Sequence, residues 1–204
     1  GLQTFEKAHV LVAGLGGVGS WAVEALARSG IGELTLMDFD HIAVSNVNRQ
    51  LHAIEDNFGK SKSEAMAERV SNCTAVALHV RFFDEFVPDE KLASYFAAAD
   101  VVVLTYDKTF HSQSGVLNVA ARARRPVLAS AGESPLKECV QKFKLGVFVE
   151  PDDLDALKIG MKMVARGESQ EAIDSPDWEG YEAFASWDEN VQKILDAVKE
   201  IRCV

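Results

Sequence analysis

Short apolar runs alternate with helically spaced apolar positions along most of the chain. The run from His9 to Ala13 enters a glycine cluster, and Val18 to Ser29 then repeats apolar residues at helical spacing before Gly30. This predicts strand, tight turn and helix. A second strand, Glu33 to Met37, ends at Asp38; a long polar loop follows before helical spacing resumes over Lys60 to Val70. Val76 to Phe83 reads as a third strand, Asp89 to Ala98 as a helix, and the wholly apolar Val101 to Thr105 as a buried strand. Next come a helix around Val116 to Arg124, a strand Pro126 to Ser130, a helix capped by Ser134 with Pro135 at its first position, and a last strand, Gly146 to Val149. Helices over Asp152 to Arg166 and Asp188 to Ile201 complete the pattern, with a stretch punctuated by Gly, Ser and Pro between them.

Strict alternation of strand and helix implies a parallel sheet, because each crossover helix must bury its apolar stripe against it. The expected fold is α/β: a Rossmann-like, doubly wound, mainly parallel six-stranded sheet with helices on both faces and extra C-terminal helices, in one domain.

Composition narrows the function classes. A formal net charge of -10 over 204 residues argues against a broad grip on phosphate backbones, so nucleic acid is unsupported as a partner unless a local basic patch serves it. Cys73, Cys139 and Cys203 are too widely spaced to suggest a disulfide framework or a zinc knuckle. No apolar run approaches the roughly 20 residues that span a bilayer, and no leader-like segment opens the sequence, so a cytoplasmic protein with no membrane partner is expected. His41, His52, His79 and His111 lack metal-ligand spacing, and no metal site is expected. Trp21, Trp178 and Trp187 are expected to pack, the last two against the terminal helices.

The chemistry concentrates at the first turn. Gly14, Gly16 and Gly19 form G-x-G-x-x-G between a strand and a helix, with Gly17 inside the same turn. That is the context in which such a turn brings backbone N–H groups and a helix dipole to a phosphate. Asp38, ending the next strand, stands where a carboxylate accepts hydrogen bonds from ribose hydroxyls.

The segments GLGGVGSW, LMDFDHIAVSNVNRQ and GKSK make residues 1 to about 72 resemble the adenylating enzymes that activate ubiquitin-like proteins, sulfur carriers and related acids. GVGSWAVEALARSGIG resembles in particular the tRNA threonylcarbamoyladenosine dehydratase branch. This resemblance implies ATP, with magnesium, as the cofactor, none being required for folding. It also implies that Asp38, Asn46, Arg49 and Lys62 hold the ribose and triphosphate. Arg49 and Lys62 suit that chemistry, since departing pyrophosphate needs cations. Asp107 falls where these enzymes carry an aspartate that organises ATP and magnesium; Arg49, Lys62 and Asp107 are therefore the candidate catalytic residues.

FVPDEKLASYFAAADVVVLTYDKTF, GVLNVAARARRPVLASA and KLGVFVEPDDLDALKIGM make residues about 79 to 204 resemble the C-terminal domain of GT-B family 4 glycosyltransferases. That family's paired donor-site glutamates fall on His111 and Val119, which are not carboxylates, while Ser114 and Gly115 begin a helix and either offer N–H groups to a phosphate or simply cap it. A change of family within Cys73 to His79 divides the chain into halves 1–75 and 76–204. The expectation that follows is a chimeric scaffold with at most residual adenine-nucleotide binding and no turnover. Its alternatives are an ATP-dependent adenylating enzyme of the dehydratase type and a nucleotide-sugar-binding glycosyltransferase fragment.

Overall fold

The computed structural model describes residues 5–72, 78–83, 87–166, 175–186, 188 and 190–192. In chain order the elements are β1 His9–Ala13, α1 Gly17–Arg28, β2 Glu33–Met37, α2 Lys62–Ser71, β3 His79–Phe83, α3 Asp89–Ala98, β4 Val101–Thr105, α4 Gly115–Arg122, β5 Val127–Ser130, α5 Pro135–Lys142, β6 Gly146–Phe148, α6 Leu154–Arg166 and α7 Trp178–Ala185. The strands form one sheet in the order β3-β2-β1-β4-β5-β6. All five pairings are parallel, so the expected mainly parallel sheet is wholly so.

Two apolar layers follow from the two-residue period of the strands. Val10, Val12, Leu34, Leu36, Val101 and Val103 face α1, α2 and α6, whereas their neighbours Leu11, Ala13, Met37, Val102 and Leu104 face α3, α4, α5 and α7. Because β1 and β4 are covered on both sides, every residue in them is buried. Strand order reverses between β1 and β4, and this switch point opens a crevice at the carboxyl ends of the strands.

Differences from expectation are local. The second helix begins at Lys62, because the Ser61 hydroxyl caps it by accepting from Glu64 N at 3.3 Å. The Ser134 cap and Pro135 start are as expected. Helix α7 appears inside the punctuated stretch, started by Asp177, whose carboxylate accepts from Gly180 N at 2.9 Å. Most of Asp188 to Ile201 lies outside the described residues, as do Val76, Trp187, Cys73 and Cys203; Cys139 is a buried free thiol. Trp178 packs against the second apolar layer, but Trp21 is 43% exposed because its indole lies over the 38–60 loop, where Nε1 donates to Arg49 O. Among the described residues no helix is long and apolar enough to cross a membrane.

Helices α1 and α2 are clamped by one carboxylate. Buried Glu24 takes Arg69 Nε at 2.5 Å and Arg28 Nη2 at 2.7 Å, and the Arg69 hydrogen bond foremost holds its carboxyl below the usual range. Glu24→Gln therefore costs about 1–2 kcal/mol near neutral pH, a range discounted for the partial exposure of both arginines. The stability from this depressed carboxyl is present above its unfolded value near 4.5 and lost as pH falls below it, so the variant shows a flatter acid limb in urea unfolding.

Candidate functional site

The crevice is built around the turn from β1 into α1. Gly14 has φ +93°, which favours glycine, and its N–H donates to Met37 O at 2.8 Å, extending the pairing of β1 with β2 by one residue. Gly19 allows the closest approach in this turn: a Cβ there would fall on the Gly14 carbonyl oxygen, with Thr105 Oγ1 3.6 Å away. Gly16 is the N-cap of α1 and supplies no side-chain cap, while a Cβ on it would meet nothing within 4 Å. The first turn of a helix leaves N–H groups without intrahelical partners, so Gly16 fronts a small positive opening.

Asp38 closes this turn from β2. Its Oδ2 accepts from Leu15 N at 2.6 Å and its Oδ1 from Asp40 N at 2.9 Å. Buried Lys62 lies between two carboxylates, with Nζ 2.7 Å from Asp40 Oδ2 and 3.9 Å from Asp38 Oδ1. Arg49 lays its aliphatic stem over Gly17, where a Cβ would sit 3.2 Å from Cγ, and Nη1 donates to Ser45 O and Asn48 Oδ1, both at 3.0 Å. Asn46 is buried, and its Oδ1 accepts from Ala43 N at 3.0 Å; what its oxygen does here is shape the loop.

Two hollows flank the glycine turn. A cleft of about 530 Å³ is lined by Gly14, Asp38, Phe39, Tyr106, Gly115 and Val116 among others, within the size range of small-ligand sites. A smaller one, about 270 Å³, is lined by Gly17, Trp21, Arg49, Asp107, Asp152 and Asp153. Hydrogen bonding from Thr109 foremost, then the charges of Arg49 and Lys108, hold the Asp107 carboxyl below its usual value. The structure thus gathers Gly14, Asp38 and Lys62 on one side of the turn and Gly17, Arg49 and Asp107 on the other.

Ser114 caps α4 by position, yet its hydroxyl pairs with Tyr106 OH at 3.1 Å instead of a backbone N–H. His111 Nδ1 lies 2.8 Å from Glu133 O, and Val119 is an apolar wall of the larger cleft. No group of three or more His, Cys, Asp or Glu capable of holding a metal occurs among the described residues. Sequence reasoning missed Asp40, Phe39, Tyr106, Asp152 and Asp153. Phe39 and Asp40 had a local signal, directly following Asp38; Tyr106, Asp152 and Asp153 reach the crevice from distant segments.

An all-parallel doubly wound sheet with a glycine turn and a carboxylate at its switch point defines a Rossmann-like protein. The chain belongs to the ThiF family, whose model matches residues 1–136. It is 40% identical over 131 residues to the tRNA threonylcarbamoyladenosine dehydratase of Escherichia coli, covering 64% of this chain and 48% of that protein. With the Haemophilus influenzae enzyme of the same name it shares 51% over 98 residues, 46% of this chain and 36% of the relative. The chain therefore spans about half or less of the length of these relatives. Among solved structures, the Escherichia coli tRNA N6-threonylcarbamoyladenosine dehydratase in complex with ATP aligns over 84% of this chain and 89% of its own at 28% identity, with a TM-score of 0.65. The same enzyme in complex with AMP aligns at a TM-score of 0.64, also at 28% identity, over 84% of this chain and 90% of its own.

These likenesses overturn the expectation of a scaffold without turnover. The family match continues through Cys73 to His79, where the adenylating-enzyme pattern was expected to end, and the structural match reaches further still.

The glycines separate folding from binding. Gly19→Ala forces its methyl onto backbone and costs about 3 kcal/mol or more, seen as a lower Tm. Gly16→Val places its side chain in open space and leaves Tm within a few degrees.

His52 gives a pH signature to the same loop. Its ring is 1% exposed, and neither nitrogen has a hydrogen-bond partner among the described residues. Burial, then the cations of Lys62 and Arg69, push it down to about 4 from 6.5. The neutral form is the folded one, so stability is complete above pH 6.5 and falls by about 3 kcal/mol as pH drops toward 4. His52→Phe removes that slope from urea unfolding curves measured across the window.

Proposed function

We propose that this chain binds ATP in the switch-point crevice and activates a carboxylate by adenylation, in the manner of the tRNA threonylcarbamoyladenosine dehydratases it resembles. One observation carries the reading: the uncapped α1 N-terminus lies between a cleft of about 530 Å³ lined by Asp38, whose carboxylate Lys62 approaches, and a hollow of about 270 Å³ lined by Arg49. The residues present fit the nucleotide. Open space at Gly16 accommodates phosphate oxygens, and the mixed polar and apolar cleft suits a nucleoside. ATP supplies the α-phosphate that the acid attacks and the pyrophosphate that leaves.

The protein's own residues divide the remaining work. N–H groups of Gly16, Gly17 and the first turn of α1 hold phosphate oxygens, with the helix dipole behind them. Asp38 accepts from the ribose hydroxyls, and Phe39, Phe96 and Val116 keep water from the base. Lys62 exchanges Asp40 for phosphate oxygens, and with Arg49 it offsets the charge developing on the leaving group. Asn46 keeps the loop in the shape that presents Arg49. Asp107 would supply a carboxylate to magnesium accompanying ATP on the Arg49 side. The acid is assigned by likeness to the dehydratases: the carboxylate of a threonylcarbamoyladenosine in tRNA, handled in the cytoplasm. With a net charge of -10, contacts to the RNA must be local.

Calorimetric titration with ATP and magnesium gives saturable binding by the wild-type chain. Gly16→Val and Lys62→Ala each weaken it at least tenfold, which corresponds to about 1.4 kcal/mol or more. Adding tRNA that carries the modified adenosine then releases pyrophosphate. An absence of ATP binding by the folded wild type overturns the reading.

A further inference from the structure

Helix α7, beyond the stretch matched by the family model, is tied to the wall of the nucleotide cleft by a buried phenol. Tyr181 is 1% exposed; its hydroxyl donates to Asn118 Oδ1 at 2.5 Å and accepts from Gln113 Nε2 at 3.0 Å. Gln113 immediately precedes Ser114, the N-cap of α4, and Asn118 lies one turn inside that helix. Gly115, Val116 and Val119, from the same helix, line the cleft opposite Gly14 and Asp38. From the cleft side, Tyr106 reaches the same cap through Ser114 Oγ and is held flat against Phe110, with ring centroids 3.9 Å apart. The start of α4 is thus gripped on two sides by tyrosine hydroxyls.

Helix α7 is itself firmly placed. Asp177 N donates to Phe143 O at 2.9 Å, and the Tyr181 ring meets Phe143 edge-on at 5.6 Å. Burial pushes the Tyr181 phenol up, so it remains a donor throughout the working pH range. A hydroxyl with both donor and acceptor partners fixes direction as well as distance, which apolar packing alone does not.

We propose that Tyr181 is a positioning residue for nucleotide recognition: its hydroxyl, through Gln113 and Asn118, sets the stand-off between the first turn of α4 and the Gly14–Asp38 side of the cleft. It touches no ligand. The inference rests on the ATP reading above and assigns Tyr181 to the nucleoside side of the site, leaving the phosphate side to the glycine turn, Arg49 and Lys62.

Tyr181→Phe retains the ring and its contact with Phe143 and removes only the hydroxyl. Titrations with ATP and with inorganic triphosphate, both with magnesium, separate the two sides of the site. The expected result is a five- to twentyfold weaker Kd for ATP with an unchanged Kd for triphosphate. The triple variant Tyr181→Phe, Gln113→Leu, Asn118→Leu removes all three mutually paired polar groups and gives up only the weak contact of Gln113 Nε2 with Cys139 Sγ at 4.0 Å, so it regains Tm but not ATP affinity. Unchanged ATP affinity in Tyr181→Phe overturns the proposal, and so does parallel loss for both ligands or recovery of ATP affinity together with Tm in the triple variant. A wild-type chain that binds no ATP overturns the parent reading, and this one with it.

Discussion

Helix α1 can start where it does only because no side chain separates Gly19 from the Gly14 carbonyl. That close approach seats the helix on β1 and beside Thr105 at the end of β4, the two strands between which the sheet reverses. The backbone geometry of the turn follows: positive φ at Gly14, a continued hydrogen bond to β2, and an open N-terminus at Gly16. Packing and the candidate site therefore meet in one turn. The residue that the fold needs small is Gly19; Gly16 borders open space at the start of the helix.

Electrostatics then set the character of the crevice. The chain is acidic overall, and its crevice sets Lys62 between Asp38 and Asp40 and Arg49 in a hollow with Asp107, Asp152 and Asp153, with the helix N-terminus as an added positive end. Lys62 is held in place by Asp40 and Asp38, at little conformational cost to a ligand that takes over one of those pairings. Asp38 has two tasks, fixing Leu15 N–H and facing the cleft, which couples the shape of the turn to the lining of the cleft. The 38–60 loop needs its own supports: Asn46 on Ala43 N, the His41–Ser61 bridge, and the small apolar cluster of Ile42, Ala53 and Ala65.

Much of this was legible in the sequence, for physical reasons. Strands β1, β2 and β4 appear with the expected bounds: β1 and β4 are buried throughout and almost wholly apolar, and β2 carries Leu34, Leu36 and Met37 into the core. The glycine turn and Asp38 were legible because their spacing is set by local backbone geometry. What escaped depends on long-range partners. Lys60 and Lys62 look alike in sequence, yet Ser61 starts the helix once His41 pairs with it and Lys62 Nζ finds Asp40. Asp152 meets Lys108 N across 44 residues of sequence, at 3.3 Å. Helix α7 contains Gly180 and follows a proline, so its propensity is poor; Tyr181 and Asp177 hold it through tertiary contacts. Trp21 was expected inside and lies half outside, since α1 turns that face toward the loop backbone instead of the sheet. The absence of turnover was inferred from a change in motif wording after residue 72, whereas the family match runs through residue 136.

The central claim is that the two hollows beside the glycine turn form one ATP site. A crystal structure of this chain grown with a non-hydrolysable ATP analogue tests it most directly. The account predicts phosphate density against the N–H groups of Gly16 and Gly17, ribose at Asp38, the base between Phe39 and Val116, and Lys62 Nζ moved from Asp40 to a phosphate oxygen. Nucleotide bound elsewhere, or bound with the Lys62–Asp40 pair intact and no phosphate at the start of α1, would contradict it.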